Sequence, residues 1–407
     1  MPQTKPSEHL ARLVNDPGDE VAWSGFVDSL ADAPPPGMAE VEAAVYALCE
    51  QADELAALRV LMAVGARLAS PACDEVYGLA YKLAVGDCLD LGLAAEVRDV
   101  WTSKGLDDGP PASVLGANKP LRWEARVADA VRQAGMTRDS KQRAELYAEA
   151  AYCVYTSGAG GQRGEARAAL LRQATSWLEE SSRQAAFAVR SARLWERVLL
   201  EEGRSAELLL WLQERTQRSE SRFEAIRARF VIARIHKQNT RDLAASMDAY
   251  RGVLAIAPGH APAMRALVAL YTRAKAWDEL AAFYQTQFEA PGIAPQGRDA
   301  LARALARLAR DERALPEEAA HWYEVLRAVE PTDDEALSYL RAHFTSAQQW
   351  GKLRRAVEEA MLLLQGEGDP REAGLRAELL QLQELARAED SEVQSARASW
   401  RGMASPR

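Results

Sequence analysis

Apolar residues recur every three to four positions along most of this chain, and the pattern seldom lapses for more than a few residues. The period predicts helices over 8–14, 20–30, 38–68 with a break near 51–54, 73–85 and 89–101. Beyond a stretch without period it predicts helices over 121–134, 140–156, 164–180, 183–201, 205–217, 220–238, 242–256, 261–274, 277–289, 298–312, 317–329, 333–346, 349–365 and 371–388. Strict alternation of apolar and polar residues is scarce, which argues against a sheet. Helices of this length joined by short links are what stacked helical hairpins require. Pro34, Pro35, Pro36 and Gly37 stop one run, and the aperiodic stretch 103–120, rich in glycine and proline, is the expected boundary between two parts.

One segment comes back. Residues 233–280 recur at 306–353 without a gap, an offset of 73 residues. Ala233/Ala306, Arg234/Arg307, Tyr250/Tyr323, Pro258/Pro331, Ala263/Ala336, Leu267/Leu340, Trp277/Trp350 and Leu280/Leu353 match. Met264, Leu267 and Tyr271 line one helix face, and Trp277, Leu280 and Tyr284 line one face of the next. A hairpin of that kind cannot bury both faces alone and has to stack on a neighbour.

The spacing of these residues resembles the tetratricopeptide repeat, a helical hairpin of about 34 residues, over roughly 230–365 and more weakly back to 121. The units after Pro258 and Pro331 carry the family's large and small packing positions in order. They depart from it at Val268 and Arg341, where a small residue is usual, and the intervening unit is longer. The resemblance implies an all-α superhelical solenoid of antiparallel helical hairpins, with a helical region ahead of it at 1–102, a linker or long loop at 103–120, repeats over 121–388 and a polar tail at 389–407. It further implies that the first helix of each hairpin lines a concave face. Arg265, Ala269 and Thr272 would be exposed there in one unit, and Glu335, Ser338, Ala342 and Thr345 in the other. These residues are small and mixed, not a dense basic clamp.

Charge changes the picture in one place. Residues 1–120 hold 8 Lys+Arg against 19 Asp+Glu, whereas 121–407 hold 42 against 40. An acidic chain is a poor candidate for nonspecific nucleic-acid binding. Within the balanced part, 215–241 carries Arg215, Arg218, Arg222, Arg227, Arg229, Arg234, Lys237 and Arg241 against only Glu220 and Glu224. Arg227, Arg234 and Arg241 form a stripe beside the apolar face of Phe223, Ile226, Phe230 and Ala233. Solvated ion pairs within the fold are one reading of this segment. The other is a patch for an acidic partner, including the acidic first third of this chain or of a second copy.

Candidate chemistry is thin. The glycines of Gly158–Gly164 lack the Gly-Lys-Ser/Thr of a phosphate loop and read as an inter-helix turn. His9, His236, His260, His321 and His343 make no metal-ligand spacing, and Cys49, Cys73, Cys88 and Cys153 read as small buried hydrophobes of a reducing compartment. Of the ten tryptophans, Trp177, Trp195, Trp211, Trp277, Trp322 and Trp350 fall at packing positions, with Trp277 and Trp350 as core pins. No segment has the length and apolarity of a membrane span or a secretory leader. The expectation is a non-catalytic, cytoplasmic scaffold or adaptor, without metal or cofactor, that binds another protein or a second copy. The partner-binding candidates are Arg222, Arg227, Arg229, Arg234, Lys237, Arg241, Arg265, Thr272, Glu335 and Ser338. A regulatory sensor whose groove takes a peptide or small ligand is the alternative.

Overall fold

A computed structural model describes residues 5–69, 72–104, 123–159, 162–185, 188–219, 221–290, 295–330, 332–364 and 373–384. Among them there is no β-strand. The helices run in order: α1 (Pro6–Asn15), α2 (Glu20–Asp32), α3 (Met38–Glu50), α4 (Glu54–Gly65), α5 (Ala72–Gly86), α6 (Leu91–Ser103), α7 (Trp123–Met136), α8 (Ser140–Cys153), α9 (Gly164–Gln184), α10 (Val189–Glu201), α11 (Ser205–Arg218), α12 (Arg222–Ile235), α13 (Leu243–Ile256), α14 (Ala261–Ala274), α15 (Trp277–Glu289), α16 (Pro295–Asp311), α17 (Pro316–Val329), α18 (Asp334–Ser346) and α19 (Trp350–Leu364). Residues 373–384 are helical as well. Short π-helical turns, Val154–Gly158 and His236–Thr240, prolong α8 and α12.

Local chemistry sets the helix ends. Asp19, Asp53, Asp90, Asp139, Asp242 and Asp333 each accept backbone N–H bonds at a helix start, which satisfies donors the helix itself cannot. The break expected near 51–54 is Ala52, left-handed at φ 56°, followed by the Asp53 cap. Left-handed residues also end α14 and α18, Lys275 at φ 53° and Gln348 at φ 56°. In both turns the next N–H reaches back five residues: Ala276 N to Tyr271 O at 2.9 Å and Gln349 N to Phe344 O at 2.8 Å. This closure satisfies the last carbonyls of the helix.

The 73-residue echo is a duplication of structure and reaches further back than the matched residues. α12, α13, α14 and α15 begin at Arg222, Leu243, Ala261 and Trp277; α16, α17, α18 and α19 begin at Pro295, Pro316, Asp334 and Trp350, each 73 residues later. Arg241 and Ala314, one offset apart, are both left-handed, and the following N–H reaches back six residues in each case. The starts of α14 and α16 lie 34 residues apart, a hairpin of tetratricopeptide-like length. The starts of α12 and α14 lie 39 apart, as do those of α16 and α18, so the longer unit is itself repeated.

The chain divides into two compact units, Met1–Leu267 and Val268–Arg407. In the first, α1 to α6 pack as successive hairpins, α7 to α9 follow, and α10 to α13 continue in order. α3 also packs on α12, far along the chain. One apolar core runs through this unit, with Leu48, Leu61, Ala84, Leu199, Val231 and Ile235 all essentially inaccessible. The second unit is simpler: α15 to α19 pack each on the next, as in a solenoid, around Leu305, Tyr323, Leu326, Leu340 and Val357.

The boundary expected at 103–120 lies almost wholly outside the described residues, and the tail 389–407 lies outside them entirely. The helices on both sides of 103–120 share the first unit. Ion pairs tie them together: Glu54 of α4 meets Arg227 of α12, and Asp87, just after α5, meets Arg193 of α10.

Candidate functional site

The basic segment meets the acidic first third of its own chain. Arg227, on α12, is 4% exposed. Its Nε and Nη2 donate to Glu54 Oε1 at 3.0 and 2.7 Å, and its Nη1 donates to Glu196 Oε2 at 2.8 Å. Glu54 and Glu196 are buried too. Arg193, buried beside them on α10, grips Glu224 with both terminal nitrogens, at 3.2 and 2.7 Å, and stands 3.5 Å from Asp87. Arg215 closes on Glu224 at 3.0 Å. Arg234 donates to Ala52 O at 3.1 Å, Arg265 to Asn15 Oδ1 at 2.6 Å, and His260 lies 3.1 Å from Glu50. All of these contacts lie within the first unit.

A buried charge is tolerated only when paired and hydrogen-bonded. Burial alone pushes the Glu54 carboxyl up, but Arg227, the N–H groups of its own helix and Arg193 together carry it below the usual carboxylate range. Arg227 is held firmly charged, its two carboxylates outweighing the cost of burial. Asp87 goes the other way, because burial raises its carboxyl more than Arg193 lowers it. Burial, seconded by Glu54, pushes the thiols of Cys49 and Cys88 up to about 12. Glu54, Glu196, Glu224 and Asp87 are each matched to a guanidinium, an arrangement that fastens helices. The network lines a cavity of about 370 Å³, to which Arg197 and Gln238 also contribute.

The remaining candidates fall into two groups. Arg229 folds back to Ala225 O at 3.2 Å, across Gly252, where a Cβ would meet its Nε. Arg222, Lys237 and Arg241 are exposed and, among the described residues, carry no ion pair. In the second unit, Thr272 and Ser338 are exposed, and the Thr272 hydroxyl donates to Val268 O. Glu335 is instead the centre of a second knot. Arg307 donates to it at 2.8 and 2.6 Å, Tyr323 Oη at 2.9 Å, and Arg303 and Arg310 approach at 3.4 Å. The Arg307 hydrogen bonds, with Tyr323 and Arg303, hold the Glu335 carboxyl down to about 2. Arg341, at the position where the repeat usually has a small residue, forks onto Glu378 with two bonds of 2.7 Å.

Trp277 and Trp350 are half-buried at the first positions of α15 and α19, so they brace hairpin entrances and do not fill the core. Among the described residues of the second unit the buried tryptophan is Trp322, edge-on to Phe288 at 5.2 Å. Among the described residues, no cluster of three or more His, Cys, Asp or Glu is placed to hold a metal ion, and no helix is long and apolar enough to cross a membrane.

Glu54, Arg193 and Glu196 were not among the sequence candidates, yet a signal was present. Glu54 shares its helix stripe with Ala57, Leu58 and Leu61, and Glu196 shares one with Leu199 and Leu200. A charge on the apolar stripe asks for a buried counter-charge.

No family profile and no curated protein matches the sequence. Among solved structures, the chain is similar to the TPR domain of P58(IPK), at 14% identity over 94% of this chain and 99% of that one, with a TM-score of 0.21. It is similar also to human IFIT1, solved as a dimer with PPP-AAAA, at 12% identity over 95% of this chain and 100% of that one, with a TM-score of 0.27. Superposition at these scores is too loose to support fold or function; the helical-repeat architecture rests on the duplication within the chain itself.

Proposed function

We propose that the chain is a non-catalytic scaffold or adaptor that binds a partner protein through the exposed side chains of its helical repeats. The observation that carries this reading is how the two copies differ. Part of the buried frame is kept: Ala263/Ala336, Leu267/Leu340 and Leu280/Leu353 are inaccessible in both. Their exposed positions are rewritten: Arg265 becomes Ser338, Asp278 becomes Gly351, Glu279 becomes Lys352 and Ala282 becomes Arg355. A frame that repeats while its outward chemistry changes suits recognition of a surface, whose energy comes from a few well-placed side chains.

In the first unit the arginines buried against Glu54, Glu196 and Glu224 are already occupied. That leaves Arg222, Lys237 and Arg241 as the basic contacts for an acidic partner, and Thr272 and Ser338 as contacts in the second unit. A second copy of the chain, whose first third is acidic, is one such partner, and the compartment that fits this composition is the cytoplasm.

The test is the combined reversal Arg222→Glu, Lys237→Glu and Arg241→Glu in the full chain, with native capture and sedimentation compared with the parent. The reading expects at least one protein interaction, or self-association, to be lost while helicity is unchanged. If every interaction survives, these three residues are not the contact.

A further inference from the structure

The duplication supplies an internal control for a cavity in the second unit. α17, α18 and α19 enclose a space of about 500 Å³ between them. That volume lies within the range of ligand pockets. Its floor is the guanidinium of Arg327, only 4% exposed, which donates to Ala356 O and stands 3.8 Å from the half-exposed Glu359. Lys352 and Arg355 stand at the rim, and Leu340 and Phe344 form apolar walls.

One offset earlier the chain carries Leu254 for Arg327, Glu279 for Lys352, Ala282 for Arg355 and Phe283 for Ala356. In the earlier copy the Phe283 ring packs on Tyr271, with centroids 6.1 Å apart. In the later copy Phe344 takes the place of Tyr271 and has Lys352 Nζ over its face at 5.6 Å. The second copy has therefore removed a ring, placed a buried arginine in the floor and set two further cations at the opening. Against these three cations stand two carboxylates, Glu324 and Glu359. Burial pulls the Arg327 guanidinium below its ordinary range, opposed by Glu359 and Glu324 and seconded by Arg341.

We propose that this cavity binds a carboxylate carried on a short aromatic or branched apolar stem, as at an acidic side chain or chain end flanked by an apolar residue in a partner polypeptide. The stem fills the ring-sized space that Ala356 leaves, and the carboxylate meets the Arg327 fork and the rim cations. The assignment deepens the scaffold reading, but it is tested on the isolated full chain, so failure of either leaves the other standing.

The probes are hydrocinnamate, its neutral amide and inorganic phosphate, titrated by calorimetry or ligand-observed NMR. The chains compared are the parent, Arg327→Leu and Ala356→Phe, each substitution installing the residue of the earlier copy. Saturable binding of hydrocinnamate is expected, with the amide about tenfold weaker or worse. Both variants should lose binding by a similar factor while circular dichroism is unchanged. Ala356→Phe fills the space and leaves Arg327 in place; Arg327→Leu does the reverse, so the two report independently. The proposal is overturned if the parent does not bind hydrocinnamate, if the amide binds as well, if phosphate competes without regard to the stem, or if a folded variant binds like the parent.

Discussion

Arg227→Met removes the one cation that two buried carboxylates share. The parent side chains are 5% exposed for Arg227, 9% for Glu54 and 6% for Glu196, so water cannot replace what is lost. Breaking a buried pair from one side costs about 3–5 kcal/mol, because the stranded charge stays desolvated. Arg193, 3.6 Å from Glu196, softens the loss for that carboxylate; among the described residues Glu54 is ion-paired to Arg227 alone. The expected cost is therefore about 3–4 kcal/mol for Arg227→Met. Glu54→Gln should cost less, about 2 kcal/mol, since an amide oxygen still accepts from Arg227. Removing both charges with Arg227→Met and Glu54→Leu should recover much of the loss, giving a coupling of about 2 kcal/mol or more.

Native-state hydrogen exchange by mass spectrometry reads this locally. Amides of α3, α4 and α12 should exchange about two hundredfold to a thousandfold faster in Arg227→Met, while those of α17 and α18 stay at parental rates. The carboxylate of Glu54 is depressed in the folded chain, so its stabilisation is present above the ordinary carboxylate range and is lost as the pH falls through the folded value. Exchange within about threefold of the parent, or strict additivity in the double variant, would refute the claim that this pair fastens the acidic helices to the basic one.

The second knot is sensitive to acid in a defined window. Glu335 is lowered from 4.5 to about 2, so its contribution is complete above about pH 5 and is lost on acidifying from about 4.5 towards 2; Glu335→Gln should flatten the pH dependence of exchange in α16–α18 over that window. Tyr323→Phe removes a hydroxyl that accepts from Arg310 at 2.8 Å and donates to Glu335 at 2.9 Å; a loss of about 1–2 kcal/mol is expected, with an unchanged stability weakening that assignment. The thiols of Cys49, Cys88 and Cys153 are raised to about 12, about 12 and about 11, chiefly by burial. They should react slowly with Ellman's reagent at neutral pH in the native chain and rapidly once it is unfolded; rapid native reaction of Cys88 or Cys153 would contradict their burial, Cys49 being half-buried.

Much of the architecture was legible because helix periodicity and caps are local. Asp53 after Ala52, Asp242 after Arg241 and Trp277 after Ala276 mark helix starts that the pattern placed within a residue or two. The duplication was legible from α13 onward but understated before it, because Arg222 and Pro295 open equivalent helices with unlike residues. The pairing of α3 and α4 with α12 was not legible in detail. Glu54 and Arg227 lie 173 residues apart, and opposite charges in two segments do not specify which residue meets which. The cavity over Arg327 was not legible for a related reason: a repeat is recognised by the positions it keeps, whereas this cavity is made by positions that changed, Leu254 to Arg327 and Phe283 to Ala356.

The scaffold reading is tested most directly by a photo-reactive residue placed singly at Arg241, Thr272, Ser338 and, as a control on the acidic helices, Glu42. Each full-length chain would be crosslinked in its native cell and the adducts mapped. The account predicts a defined polypeptide adduct at one or more of the three repeat positions, reproducible between preparations, and none at Glu42 other than with a second copy of the chain. Adducts confined to nucleic acid, or to a different protein at Glu42 alone, would contradict it.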